Sequence, residues 1–165
     1  MKIFIAADHR GYQLKNKIKA TLLQQGHTVE DLGAYNEAPC DYPKLSYKLA
    51  RQVAKTQNAK GILVCMTGIG HTIAANKVHG INAALCYNKQ AAILSREHND
   101  ANILVLGAEF VPPAKMPAII DVWLKTPFAG GRHRRRVKQI REIERKVCLD
   151  KSPRHQVTRS PTPKR

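Results

Sequence analysis

Residues 61–77 read GILVCMTGIGHTIAANK. An unbroken apolar run ends at Cys65, glycines follow at 68 and 70, and a helix-like segment opens near His71. An apolar run without alternation reads as a strand buried on both faces, the habit of strands in parallel sheets. The segment is therefore one strand–turn–helix unit, and its neighbours repeat the pattern. KIFIAA (2–7), HTVEDLG (27–33), INAALC (81–86) and NILVLGA (102–108) read as four further strands. Between them lie helical segments: YQLKNKIKATLLQQG (12–26), with Leu14, Ile18 and Leu22 on one face, YPKLSYKLARQVAKTQ (42–57) and KQAAILSREHN (89–99). PPAKMPAIIDVWLK (112–125) reads as the next helix. Alternating strands and helices predict an α/β fold, a Rossmann-like three-layer α/β/α sandwich on a five-stranded parallel sheet. Such sheets carry their sites at the C-terminal strand ends, which points to Asp8 and His9 after the first strand and Cys65 after the third.

The chain has 165 residues, enough for one domain with a real core. Residues 1–149 read as that domain and residues 150–165 as a basic tail expected to be disordered: it holds three prolines and few apolar side chains. No apolar run approaches the ~20 residues of a membrane helix. The N-terminal apolar run stops at Asp8, too early for a signal peptide, so a cytoplasmic protein is expected. The four cysteines form no CxxC pair, which leaves a zinc ribbon or a thioredoxin-type site without support. The net charge of +16 is uneven: residues 132–165 hold 13 of the 28 Lys/Arg and 3 of the 12 Asp/Glu. Aromatic side chains make up 5%, and no stacking platform accompanies the charge. Nucleic acid is therefore not expected as a partner beyond weak binding by the tail. In GGRHRRRVKQIREIERKVC (130–148), Val137, Ile140, Ile143 and Val147 could form one apolar stripe, to lie across the domain or against another subunit.

The turn after Cys65 admits three readings. GIGHTI supplies two glycines of a dinucleotide fingerprint and lacks the third. A cysteine-phosphatase loop needs an arginine six residues after the cysteine, where His71 stands. The third reading is a cysteine base beside backbone N–H groups that stabilise developing negative charge. Such a turn is expected to lower the thiol pKa from its usual ~8.5. Read from this segment alone, the commoner role for Cys65 is a small side chain filling a strand end, since buried cysteine is common.

The stretches IAADHRGYQLK, DYP, VCMTGIGHTIAANK, SREHNDANILVLG and FAGGRHRRRV, in that order, resemble the type B ribose-5-phosphate isomerase family, from about Lys2 to about Arg145. That family includes the galactose-6-phosphate isomerase subunits of the bacterial lactose pathway. The resemblance implies an aldose–ketose isomerase of sugar phosphates, a homodimer at least with a dimer of dimers as the alternative, without metal or organic cofactor. By the family pattern Cys65 moves the proton between C1 and C2, and Thr67 orients substrate or assists. The amides of Met66 to Gly70, with Gly68 and Gly70 shaping the turn, hold the enediolate. His98 opens the sugar ring, Asn99 and Asp8 bind sugar oxygens, and Tyr42 lines the pocket. His9, Arg132 and Arg136 bind phosphate, with some ligands supplied by a partner subunit. Ribose 5-phosphate is the expected substrate, and a six-carbon phosphate such as allose 6-phosphate or galactose 6-phosphate the alternative. Met66 stands where the family has glycine in CGTG. His71 stands where one branch, lacking the cysteine, has a glutamate base; it lines the pocket, contacts a substrate hydroxyl or shares a proton with Cys65, and a helix N-terminus is expected to keep its ring neutral.

Overall fold

The computed structural model describes residues 1–149. The basic tail expected at residues 150–165 lies outside them. Five strands, β1 (Lys2–Ala7), β2 (Thr28–Asp31), β3 (Lys60–Cys65), β4 (Ala83–Leu85) and β5 (Ile103–Gly107), form one parallel sheet in the order β2-β1-β3-β5-β4. The helices are α1 (Tyr12–Gln24), α2 (Tyr42–Lys55), α3 (Ile69–Ala75), α4 (Lys89–Asn99), α5 (Met116–Lys125) and α6 (Gly131–Leu149). Side chains of alternating direction send Ile3, Ile5, Ile62, Val64, Leu104 and Leu106 to one face, against Ile18 and Leu22 of α1, Ala92 of α4 and Ile119 and Trp123 of α5. Phe4, Ala6, Leu63, Ile103 and Val105 face the other way, against Leu49, Ala50 and Val53 of α2 and Ala75 of α3. This is the three-layer sandwich expected from the apolar runs.

The sheet changes direction of winding between β1 and β3, because the chain moves outward to β2 and then returns past β1. A crevice opens at the carboxyl ends of such a strand pair. Register brings the strand ends level there: Ala7 pairs with Val64, and Cys65 with Gly107. Gly11 lets α1 start against this edge. A Cβ on it would sit 2.9 Å from the Val64 carbonyl carbon and 3.0 Å from the Ala7 Cβ.

Two features refine the expected pattern. The buried face of α1 includes Lys15, fully enclosed, whose Nζ donates to Asp31 Oδ1 at 2.7 Å and to the Ala34 carbonyl at 2.6 Å. Leu14, assigned to that face from its spacing, is only partly covered. Burial and two acceptors let a lysine occupy a core position, because the charge is paired and hydrogen-bonded. Along α6, only Val137 of the expected apolar stripe is buried. Ile140, Ile143 and Val147 stay exposed.

Candidate active site

Cys65 is the last residue of β3, and its side chain is buried where the strand breaks into the turn. Gly68 adopts a left-handed conformation (φ 78°) that glycine takes without strain. This folds the turn back so that the Gly68 N–H donates to Cys65 Sγ at 3.0 Å. The next amide, of Ile69, donates to Thr67 Oγ1 at 3.4 Å. Asp8, carried out of β1, is buried opposite, and its Oδ1 accepts the Gly11 N–H at 2.9 Å. His71 enters from the first turn of α3, fully buried, with Ser46 Oγ 2.6 Å from its Nδ1. Asp8, Cys65 and His71 each bring a polar side-chain atom within 4.8 Å of the others.

A cleft of about 360 Å³ lies over these groups. His9, Arg10, Tyr42, Met66, Thr67 and Gly70 complete its lining. Tyr42, the first residue of α2, sets its ring edge-on to the His71 imidazole, centroids 5.5 Å apart. Gly70 is the floor beneath that ring: a Cβ there would overlap the phenol tip. His9 accepts the Cys40 N–H on Nδ1 at 3.4 Å. Of the thirteen residues singled out from sequence, Asp8, His9, Tyr42, Cys65, Met66, Thr67, Gly70 and His71 meet here, with Gly68 directly behind Cys65.

The electrostatics correct one expectation. The Cys65 thiol is pushed up from its ordinary value, not down. Desolvation is the main cause and the Asp8 carboxylate adds to it. The Gly68 N–H and the amide and hydroxyl of Thr67 oppose the rise without cancelling it. The turn does direct amides at the sulfur, but partial burial of the strand end favours the neutral thiol more strongly. His71 is pushed down to about 4 by burial, against a smaller pull from Asp8, so its ring is neutral at pH 7. The neutral form agrees with expectation, though burial is its cause and not the helix terminus.

The other four residues stand elsewhere. Helices of a parallel sandwich run against the strands, so the last turn of α4 lies at the opposite edge of the sheet from Cys65. There His98 stacks on His133, ring centroids 4.0 Å apart and planes within 7°. The Asn99 carbonyl accepts from the Asn82 side chain, just before β4. Arg132 and Arg136 project one turn apart from the start of α6, both exposed. Desolvation first, then the positive fields of His98, Arg132 and Arg136, push the His133 imidazole down. One chain thus carries two clusters, a Cys65 cluster and a His98–Arg132–Arg136 cluster, with the length of the strands between them.

The profile of a family described as Ribose/Galactose Isomerase matches residues 3–140. The chain belongs to this family. It is 41% identical over 145 residues to ribose-5-phosphate isomerase B of Escherichia coli (strain K12), covering 88% of this chain and 97% of that one. It is 44% identical over 144 residues to the probable ribose-5-phosphate isomerase B of Mycoplasma pneumoniae, covering 87% and 95%. Among solved structures, ribose-5-phosphate isomerase B of Clostridium thermocellum superposes with a TM-score of 0.86 at 49% identity, over 89% of this chain and 99% of that one. The enzyme of Mycoplasma genitalium, solved with bound ribulose-5-phosphate, gives 0.84 at 42% identity, over 87% and 96%.

Three residues of these clusters were not singled out from sequence: Arg10, which lines the cleft next to His9, Ser46 and His133. Ser46 sits one turn after Tyr42 on an amphipathic helix, where a small polar residue gives no signal. His133 sits inside RHRRRV, where the run of charge masks it. A signal for His133 did exist: it lies four residues before Val137 and so shares the inward face of α6.

Proposed function

We propose that the chain is an aldose–ketose isomerase that interconverts ribose 5-phosphate and ribulose 5-phosphate, acting in the cytoplasm as a homodimer. The observation that carries this reading is the placement of Cys65: a sulfur at a strand end, hydrogen-bonded by the Gly68 amide and facing Asp8 across a small cleft. The reaction removes a proton from the carbon next to a carbonyl and returns it to the neighbouring carbon. In the proposed mechanism the Cys65 thiolate takes the C2 proton of the open aldose and delivers it to C1. The amides of the 66–70 turn, together with Thr67, hold the enediolate oxygens, each well-placed donor lowering the barrier by about 3 kcal/mol. Asp8 binds a sugar hydroxyl and Tyr42 closes the side of the cleft.

The second cluster supplies what the first lacks. Arg132 and Arg136, one helical turn apart, fit a phosphate with charge-assisted bonds, and His98 is placed beside them to open the ring with Asn99 holding a sugar oxygen. Because the two clusters occupy opposite edges of one sheet, the complete site requires the Cys65 cluster of one chain and the His98 cluster of another. The exposed stripe of Ile140, Ile143 and Val147 on the same helix favours such an assembly. Cations brought by the second chain would also offset the field of Asp8, which helps hold the Cys65 proton in place. Met66 narrows the cleft where the family pattern has glycine, which favours a five-carbon over a six-carbon phosphate.

The test is an isomerase assay across five- and six-carbon aldose phosphates, with Cys65→Ala beside the unchanged protein. Fastest turnover on ribose 5-phosphate, abolished in a folded Cys65→Ala, is expected. Near-normal turnover in that variant would sink the assignment of the base, and preference for a six-carbon phosphate would replace the substrate.

A further inference from the structure

We propose that Asp8, Cys65 and His71 form a binding site for a thiophilic divalent cation, Zn²⁺ foremost, which blocks the cleft against sugar phosphate. The donors are a carboxylate oxygen, a sulfur and an imidazole nitrogen, all buried, with ligating atoms within 4.8 Å of one another. Zinc takes this set at bond lengths of about 2.0–2.3 Å, which makes the edges of its tetrahedron roughly 3.3–3.8 Å. Inward shifts of about 1 Å shared among three side chains seat the ion. Hard cations such as Mg²⁺ prefer all-oxygen shells and gain little from a thiolate and an imidazole.

A second observation points to a ligand independently. His71 Nε2 is buried and has no hydrogen-bond partner. The Ser46 hydroxyl donates to the Tyr42 carbonyl at 3.0 Å, so its oxygen is left to accept from His71 Nδ1–H at 2.6 Å. That assignment leaves the lone pair on Nε2, the tautomer a metal requires, with the ring oriented by an outer hydroxyl as metal-bound histidines usually are. The other two donors are braced in the same way. Asp8 Oδ1 is held by the Gly11 amide, which leaves its second oxygen free, and Cys65 Sγ is held by the Gly68 amide. Three protein ligands fill three corners of a tetrahedron, and the fourth opens into the cleft beside Thr67 and Tyr42. An ion there occupies the sulfur that the proposed isomerisation needs as base, so it inhibits. That consequence rests on the proposed function; the binding itself does not.

Co²⁺, which reports thiolate coordination by a charge-transfer absorption, is titrated into the chelator-treated full-length protein, and Zn²⁺ is then used to displace it. One Co²⁺ per chain with a thiolate band is expected. The band should vanish in Cys65→Ser, and affinity should fall roughly tenfold or more in His71→Asn, with thermal unfolding confirming that both variants fold. In parallel, Zn²⁺ should inhibit the isomerase competitively with ribose 5-phosphate, reversibly by chelator. No thiolate band, a band retained in Cys65→Ser, or a smaller affinity change in His71→Asn overturns the site. The band with no competitive inhibition overturns the blocking role while leaving the ion bound. The spectroscopic arm reads the same whether or not the chain turns over ribose 5-phosphate.

Discussion

Gly107→Ala is expected to damage catalysis far more than folding. Gly107 ends β5 and pairs with Cys65, and its own conformation would admit any residue. What it lacks is room. An added Cβ would lie 2.7 Å from the Thr67 carbonyl carbon and 3.2 Å from the Met66 carbonyl oxygen, with the Thr67 carbonyl oxygen closer still. Ordinary contacts are about 3.5–4.0 Å, so the two backbones must part by roughly 1 Å. They cannot part freely. The Ala108 N–H donates to the Cys65 carbonyl and the Glu109 N–H to the Met66 carbonyl, both at 2.8 Å, so strain passes into the turn that holds Cys65 and Thr67. Displacing catalytic groups by about 1 Å can cost on the order of a hundredfold in rate, or about 2.7 kcal/mol of barrier. Overpacking of this kind typically lowers stability by about 1–3 kcal/mol, which leaves the domain folded. The assay is kcat on saturating ribose 5-phosphate, with thermal unfolding measured alongside. A folded Gly107→Ala with kcat within about threefold of the parent would refute the claim that this glycine sets the geometry of the turn.

Gly70→Ala should act differently, because its clash is with the tip of the Tyr42 ring and not with backbone; Tyr42 can swing aside, so KM should rise while kcat changes little in steady-state assays. Arg132→Ala or Arg136→Ala should raise KM about tenfold or more, each losing a charge-assisted phosphate contact of about 1.5–3 kcal/mol, whereas Arg134→Ala should do much less; equal effects in all three would indicate a diffuse basic patch. Lys15→Met should cost about 3 kcal/mol in urea unfolding, because it strips the closest partner from Asp31. Asp31 also sets a pH dependence. Burial raises its pKa, but bonds from Lys15, the Gly33 amide and Lys19 outweigh that and hold it below the ordinary carboxylate value. With the folded value depressed, its stabilisation is complete above the unfolded carboxylate pKa and is lost as pH falls through the folded one. Lys15→Met should therefore flatten the acid limb of the stability profile, and an unchanged limb would count against this pair as its source.

The strands were legible because burial on both faces leaves an unbroken apolar run, and the strand ends then placed Asp8 and Cys65 on one edge. Helix direction was legible too, and it separates His98 from Cys65: a residue in the last turn of a crossover helix belongs to the edge where strands begin. Motif order alone hid this separation, because order along the chain does not say which edge of the sheet a residue reaches. Lys15 was hidden for a different reason. Periodicity ranks positions by the hydrophobicity of the side chain, and a lysine enters a core only when acceptors from β2 and the following turn, sixteen and nineteen residues on, meet it there. The sign of the Cys65 shift was out of reach because it is a balance. Backbone amides can be inferred from a glycine turn, but the desolvation that outweighs them depends on how completely the folded chain covers the sulfur.

The charge of α6 illustrates how position outranks composition. Its sequence from Gly131 to Leu149 contains no Phe, Tyr or Trp, and its one imidazole is already stacked on His98, so a single-stranded nucleic acid would meet charge without a surface for its bases. Part of the charge is answered locally: Arg141 approaches Asp100 at 3.8 Å and Lys138 reaches Glu142 at 4.0 Å. Among the described residues no carboxylate pairs with Arg132 or Arg136, and both press their fields on the buried His133, which lies face to face with His98. Like charges gathered around a stacked imidazole pair raise the energy of the free chain, and a dianion placed among them relieves it. A polymer could satisfy the outer arginines from many directions. Two forks one helical turn apart, next to a histidine at a helix end, suit a small phosphate whose other end must reach a fixed point.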